Sequence, residues 1–220
     1  MSVRIIVADD HVAIRTGLVT ILGSAPDIDV VGESGDGLSA VRMATSLRPD
    51  LVLMDIRMPG IDGIEATHRL VNGGICDVLV LTTFDLDDYV DGALAAGAAG
   101  FLLKSASAEQ LLDAVRAVAR GDGMLAPEVT RRLISRLASV SEAPAPELPR
   151  LDHLTPREVN VLACLGHGMS NAEISSSLKI TEATTKTHVS RVLTKLGVRS
   201  RVQAAIAARS AGVIDRGQTP

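Results

Sequence analysis

The sequence predicts an α/β domain built on a doubly wound five-stranded parallel sheet, followed by a small all-α domain. Three observations lead there. Short β-branched runs alternate with amphipathic stretches as far as residue 120, and beyond Leu154 the pattern becomes wholly helical. Charge divides at the same place. Residues 1–123 carry 18 Asp and Glu against 9 Lys and Arg, and residues 151–220 carry 5 against 9, although the whole chain has a net charge of only −4. An acidic domain followed by a basic one suits a cation or phosphate switch joined to a polyanion binder. Two ordinary domains of different isoelectric point remain the bland alternative.

The strands are read at Arg4–Ala8, Val30–Glu33, Leu51–Met54, Val78–Leu81 and Gly100–Leu103, with helical stretches near 12–23, 37–47, 62–71, 86–96 and 108–120. Five strands alternating with five helices make a parallel sheet covered on both faces. The first domain is expected over 1–123, a linker over 124–150, the second domain over 151–216 and a tail over 217–220. Within the linker, residues 127–138 look like a connecting helix started by Pro127. Residues 139–150 hold Pro144, Pro146 and Pro149 with no apolar period, which favours extended chain.

Composition narrows the class. Hydrophobic residues are 46% and charged residues 22% of the chain, ordinary for a soluble globular protein. Phe84, Tyr89 and Phe101 are the only aromatics, so the core must be aliphatic. No apolar run approaches the roughly 20 residues of a membrane helix. The opening apolar stretch is ended by Asp9-Asp10, too soon for a signal peptide. Cys76 and Cys164 lie far apart without metal-ligand spacing and read as buried thiols. A cytoplasmic protein with no membrane partner is expected.

In open α/β sheets, ligands bind beyond the carboxyl ends of the strands, where strand order reverses. Asp9 and Asp10 follow the first strand, Asp55 the third, Thr82 the fourth and Lys104 the fifth. With strand order 2-1-3-4-5 the first and third strands are neighbours, and three carboxylates crowd one crevice. Crowded carboxylates repel, so one takes a proton or a cation sits among them. An oxygen-ligand site of this kind suits Mg²⁺. Phosphoryl transfer needs mainly positioning and charge neutralisation. Asp55 is then the candidate nucleophile, with Lys104 and the Thr82 hydroxyl facing the phosphoryl oxygens. Each residue alone is more often a solvated loop residue, a cap or a surface lysine; the combination at matching strand ends is specific.

These residues carry a resemblance. Ile6-Val7-Ala8-Asp9-Asp10-His11, Asp50-Leu51-Val52-Leu53-Met54-Asp55-Ile56-Arg57-Met58-Pro59-Gly60, Leu81-Thr82-Thr83-Phe84-Asp85 and Gly97-Ala98-Ala99-Gly100-Phe101-Leu102-Leu103-Lys104 resemble the receiver domain of bacterial response regulators, over residues 3–121. The resemblance implies a CheY-like fold and phosphorylation of Asp55 by a sensor histidine kinase. It implies Mg²⁺ held by Asp10, Asp55 and the backbone carbonyl of Arg57, with Asp9 helping through water. Phe101 matches the aromatic switch position, which turns inward as Thr82 moves toward the phosphoryl group; a plain core Phe is nearly as good a reading. Ser105 stands where many receivers have proline.

In the second domain, Thr155-Pro156-Arg157-Glu158 and Ser170-Asn171-Ala172-Glu173 are capping boxes, and Thr181 is a cap for a third helix that Gly197 stops. A fourth helix is expected near 200–211. Residues 172–178 leading into 182–196 suit a helix-turn-helix. In the third helix, Val189, Val192, Leu193 and Leu196 share a core side with Thr185 beside them. Thr187, Ser190, Arg191 and Thr194 point outward, with Lys186 on the shoulder. Such a face can approach a major groove of double-stranded DNA, although a solvated helix surface is the commoner meaning of the pattern.

Leu154-Thr155-Pro156-Arg157-Glu158, residues 168–174 and residues 180–189 are similar to the LuxR-type helix-turn-helix over about 151–216. Together the two halves resemble the NarL/FixJ class of response regulators. By that likeness Lys186, Thr187 and Ser190 read bases, His188 and Arg191 lie nearer the backbone, and the last helix pairs two domains in an active homodimer. The implied protein is a DNA-binding transcriptional regulator and not an enzyme, beyond slow self-dephosphorylation. Two other classes compete. A Mg²⁺-dependent phosphotransferase or phosphatase would place an acid-base carboxylate two residues beyond the nucleophile, where this chain has Arg57. A regulator whose helical domain meets protein instead of DNA would lack a steep salt dependence of duplex binding.

Overall fold

The computed structural model describes residues 2–82, 92–122, 124–125 and 151–214. They fall into two units, residues 2–120 with 124–125, and residues 121–122 with 151–214. The expected connecting helix over 127–138, the proline-rich stretch over 139–150, the tail over 217–220, and Thr83, Phe84, Asp85 and Tyr89 lie outside the described residues.

The first unit runs β1 (Val3–Ala8), α1 (Val12–Gly23), β2 (Ile28–Ser34), α2 (Gly37–Leu47), β3 (Leu51–Asp55), α3 (Gly63–Asn72), β4 (Asp77–Thr82), β5 (Gly100–Leu103), α4 (Ala108–Ala119) and β6 (Met124–Leu125). Of the stretch expected near 86–96, residues 92–96 are described, and 92–95 of them are helical. The sheet is parallel throughout, in the order β2-β1-β3-β4-β5-β6. The expected five strands therefore stand in their expected order. A sixth, Met124–Leu125, adds to the edge beside β5, and two residues are too short to show any alternation in the sequence.

Both faces of the sheet are covered, so its central strands read as continuous apolar runs. Side chains alternate along each strand. Ile5, Val7, Leu51, Leu53, Leu79 and Leu81 pack with Leu22 of α1 and with Leu111, Ala114, Val115 and Val118 of α4. The last four recur at intervals of three, one and three residues, the apolar stripe of a surface helix. Their strand neighbours Ile6, Val52, Met54, Val80 and Phe101 are equally buried on the opposite side. Asp36 and Asp62 cap α2 and α3 by accepting from Ser39 N and Glu65 N, and Ser107 with Gln110 forms a full capping box on α4.

The second unit holds a short 3₁₀ turn (Leu151–His153), α5 (Pro156–Gly166), α6 (Asn171–Leu178), α7 (Glu182–Leu196) and α8 (Arg201–Ser210). The capping boxes at Thr155 and Ser170 form as expected, and Thr181 caps α7 by accepting from Thr184 N. Gly197 ends α7 in the left-handed region (φ 66), where its missing Cβ removes the usual steric cost. Val161, Leu162 and Leu165 of α5, Ile174 of α6, Val189 and Val192 of α7, and Ala204 and Ala208 of α8 form one core. The 3₁₀ turn had no counterpart in the sequence reading, because three residues carry no helical period.

Candidate functional site

Parallel register brings the chemistry together. Ala8 pairs with Met54, so Asp9 and Asp55 continue two adjacent strands from the same level. Thr82 pairs with Leu103, and the Lys104 backbone N–H donates to the Thr82 carbonyl at 2.8 Å. Asp9, Asp55, Thr82 and Lys104 thus stand at the carboxyl ends of β1, β3, β4 and β5, as the sequence order requires once the strands align.

Lys104 Nζ lies 2.7 Å from Asp9 Oδ2 and 2.8 Å from Asp55 Oδ2. The Asp55 Oδ1 atom accepts from Ile56 N at 2.8 Å. Asp9 is fully buried, and Asp55 and Thr82 nearly so. Asp9 meets the Lys104 ammonium directly as well as standing close to Asp10 and Asp55. Burial pushes the Asp55 carboxyl above the ordinary carboxylate range, opposed by the hydrogen bond and charge of Lys104 and reinforced by the neighbouring Asp9 charge. Burial works against the Lys104 ammonium, yet its bonds to Asp55 and Asp9 win and its pKa is raised. The site therefore holds one cation among carboxylates that still lack compensation.

Asp10 completes the group. One ligand atom from each of Asp9, Asp10, His11 and Asp55 lies within 4.8 Å of all the others. Asp10 and Arg57 line one groove with Ile56, Met58, Pro59 and Asp62. The Asp9 carboxylate is buried, and its Oδ2 is met by the Lys104 ammonium at 2.7 Å. Excess carboxylate charge and a close set of oxygen donors fit a divalent cation. Phe101 is fully enclosed, the inward position of its switch reading and equally that of a core Phe. The peptide bond before Ser105 is trans.

Two residues escaped the sequence reading. Arg15 on α1 donates from Nη1 to the Asp9 carbonyl at 2.6 Å and pairs with Glu33 at 3.4 Å, so it anchors the acid-bearing turn. Its signal was a single cation in the otherwise uncharged Val12–Gly23. The second, His11, sets its Nδ1 2.6 Å from Asp10 Oδ1. Gly63, at the start of α3, comes so close that a Cβ there would lie 1.9 Å from the Asp55 carbonyl oxygen. Only glycine permits this approach.

On α7, Lys186, Thr187, Ser190, Arg191 and Thr194 are all exposed, while Val189 and Val192 are buried. His188 stands apart: it is half-buried, and its Nδ1 is enclosed without a hydrogen-bond partner among the described residues. Thr185 takes a core place, and its hydroxyl donates to Thr181 O at 3.2 Å, so its polarity is satisfied by the preceding turn. Beneath this face, Lys195 reaches back to Glu158 at 2.7 Å and ties α7 to the cap of α5.

Comparisons with known proteins agree with this architecture. The model of the response regulator receiver domain matches residues 5–116, and that of the bacterial regulatory proteins of the luxR family matches residues 152–208. The chain is 41% identical over 206 residues to the transcriptional regulatory protein LiaR of Bacillus subtilis, covering 93% of this chain and 95% of that one. It is 40% identical over 207 residues to the response regulator protein VraR of Staphylococcus aureus, covering 94% and 96%. Among solved structures, the response regulator ChrA of a heme-sensing two-component system is 41% identical, with a TM-score of 0.55 over 97% of this chain and 99% of that one. The receiver domain of a NarL from Mycobacterium tuberculosis is 37% identical, with a TM-score of 0.53 over 55% and 98%. No helix among the described residues is long and apolar enough to cross a membrane. With receiver and helix-turn-helix matched in chain order, and relatives spanning both, the chain belongs to the response regulators of two-component systems that carry a LuxR-type DNA-binding domain.

Proposed function

We propose that this regulator is switched by transfer of a phosphoryl group to Asp55 from a sensor histidine kinase, and that the switch governs how α7 engages double-stranded DNA. One observation carries the reading: the Lys104 ammonium bridges Asp9 and Asp55 at 2.7 and 2.8 Å, at the ends of three strands of one sheet. In the transfer, an Asp55 carboxylate oxygen attacks phosphorus, the phosphorus–nitrogen bond of the donor phosphohistidine breaks, and the imidazole leaves with the electron pair. Lys104 moves from carboxylate to phosphoryl oxygen, and the Thr82 hydroxyl donates to another. Asp10, Asp55 and the Arg57 carbonyl, with Asp9 helping through water, would hold a Mg²⁺ that would neutralise the remaining charge. Phe101 follows Thr82 by packing, since it has no hydroxyl to bond.

The exposed donors of α7 support groove reading, with Lys186, Thr187 and Ser190 toward bases and Arg191 and His188 toward phosphates. Two half-sites call for two copies, so the active form is a homodimer. The protein turns over no substrate beyond slow loss of its own phosphate, and it works in the cytoplasm.

The test is DNA selection from a random pool by the full chain, with and without a phosphodonor and Mg²⁺. Wild-type protein is expected to gain a covalent phosphate, dimerise and bind one motif more tightly, whereas Asp55→Asn gains none of the three. Equal dimerisation and DNA binding by Asp55→Asn under the donor would remove the switch. Lys186→Ala and Arg191→Ala are each expected to lower the salt slope of binding by about one.

A further inference from the structure

His11 occupies the N-cap position of α1 (φ −83, ψ 105), yet its side chain makes no capping bond to the helix. Its own N–H donates to Asp9 Oδ1 at 2.9 Å, which tightens the turn and swings the ring back over the carboxylates. There Nδ1 stands 2.6 Å from Asp10 Oδ1 and 3.8 Å from Asp9 Oδ1. We propose that His11 is a direct metal ligand of the acidic crevice, and that its imidazole makes the site favour Mn²⁺ and Co²⁺ over Mg²⁺. The proposal rests on the divalent-cation reading of that crevice and adds a nitrogen donor to it.

Geometry allows it. On one octahedral ion with bonds of about 2.1 Å, two donors sit roughly 3 Å apart when adjacent and about 4.2 Å apart when opposite. The four candidate donor atoms already lie within 4.8 Å of one another. Small rotations close the set, and the residues that must rotate are the ones free to do so: the side chains of Asp10 and His11 are 32% and 66% exposed.

Chemistry gives the selectivity. Mg²⁺ is a hard ion that prefers oxygen and holds its waters, so an imidazole adds little for it. Affinity of a mixed nitrogen and oxygen site rises along the first-row series from Mn²⁺ through Co²⁺, and an imidazole is a softer donor than the water it replaces. Three carboxylates with one imidazole therefore separate the two kinds of ion, where carboxylates alone separate them less. The competing role for His11 is orientation: Nδ1–H would hold the Asp10 carboxylate in place without touching the ion. Orientation would help every ion alike.

The experiment is calorimetric titration of the full-length chain and of its His11→Gln variant with Mg²⁺, Mn²⁺ and Co²⁺, together with pulsed electron paramagnetic resonance of the Mn²⁺ complex. Expected are a tenfold or greater loss of Mn²⁺ and Co²⁺ affinity in the variant, about 1.4 kcal/mol, with Mg²⁺ affinity changed by less than about twofold. A nitrogen coupling to Mn²⁺ should be present in the wild type and absent in the variant. That loss assigns the nitrogen to His11 among the five histidines of the chain. An equal loss for all three ions, or no nitrogen coupling in the wild type, overturns the proposal while Mg²⁺ binding keeps the crevice a metal site. Failure of every ion to bind wild-type protein that circular dichroism shows to be folded overturns both.

Discussion

Both units hold a carboxylate against a lysine ammonium, Asp55 with Lys104 at 2.8 Å and Glu158 with Lys195 at 2.7 Å, and the two carboxyls respond in opposite directions. Glu158 is held down to about 2 by its bond to Lys195 and by the Thr155 backbone and hydroxyl donors. Asp55 is pushed up, because burial and the Asp9 charge outweigh what Lys104 returns. The distance is the same; the surroundings are not. Glu158 belongs to a capping box whose donors were placed by three residues of local sequence. The charges around Asp55 arrive from three strands and leave an excess. The first is a pair whose charges are balanced locally, and the second a pair set among uncompensated carboxylates.

The comparison can be broken most severely at two glycines. Gly63→Ala should destabilise the receiver by about 3 kcal/mol, because the new Cβ meets the Asp55 backbone at 1.9 Å. Gly166→Ala in the helical unit should cost less, about 2 kcal/mol, since the Ile214 side chain at 2.8 Å can turn away and only the Ala208 Cβ at 2.9 Å is fixed. Urea unfolding of the full chain, followed at resolved amide signals of each unit, measures both. Equal losses would mean that the loop after β3 yields as easily as a side chain.

Next come the lysines. Lys104→Met leaves two buried carboxylates without their ammonium and should cost about 3 kcal/mol without divalent cations, with part regained on adding Mg²⁺ through binding to the folded state. Lys195→Met should cost far less, because the Lys195 side chain is about one-third exposed and Glu158 keeps its cap donors. A Lys104→Met receiver indifferent to Mg²⁺ would contradict the idea that a cation is owed to this crevice.

A sharper difference lies in pH. The Glu158 carboxyl has a folded value of about 2 against 4.5, so its contribution is present above the unfolded value and disappears as pH falls from about 4.5 to 2. Carbon NMR titration of Glu158 should show a midpoint near 2, and Glu158→Gln should lower stability at pH 7 but not at the acid end. Asp55 is shifted the other way, so stability falls as pH rises from its ordinary value of 3.8 through its higher folded value. Metal-free Asp55→Asn is therefore expected to unfold at slightly higher urea than wild type at pH 7. A fall instead would show that the Lys104 bond outweighs burial.

Much of this was legible in residue order. The strand ends carrying Asp9, Asp55, Thr82 and Lys104 were readable because β-branched runs stop at polar residues, and the caps at Thr155, Ser170 and Thr181 because their donors lie three residues away. The roles of Arg15 and His11 were not, because the aim of a side chain at a turn depends on dihedrals that composition does not reveal. Nor was the direct Asp9–Lys104 contact, which needs the depth of each strand end.

Local order alone determined where helices begin, which strands exist and which α7 residues face outward, since periodicity and capping act over a few residues. Only the tertiary structure decided that one ammonium serves two carboxylates, that Gly63 must lack a Cβ, and that Asp55 is raised while Glu158 is lowered. Those outcomes depend on desolvation and on charges from distant segments, and both exist only after the chain has folded.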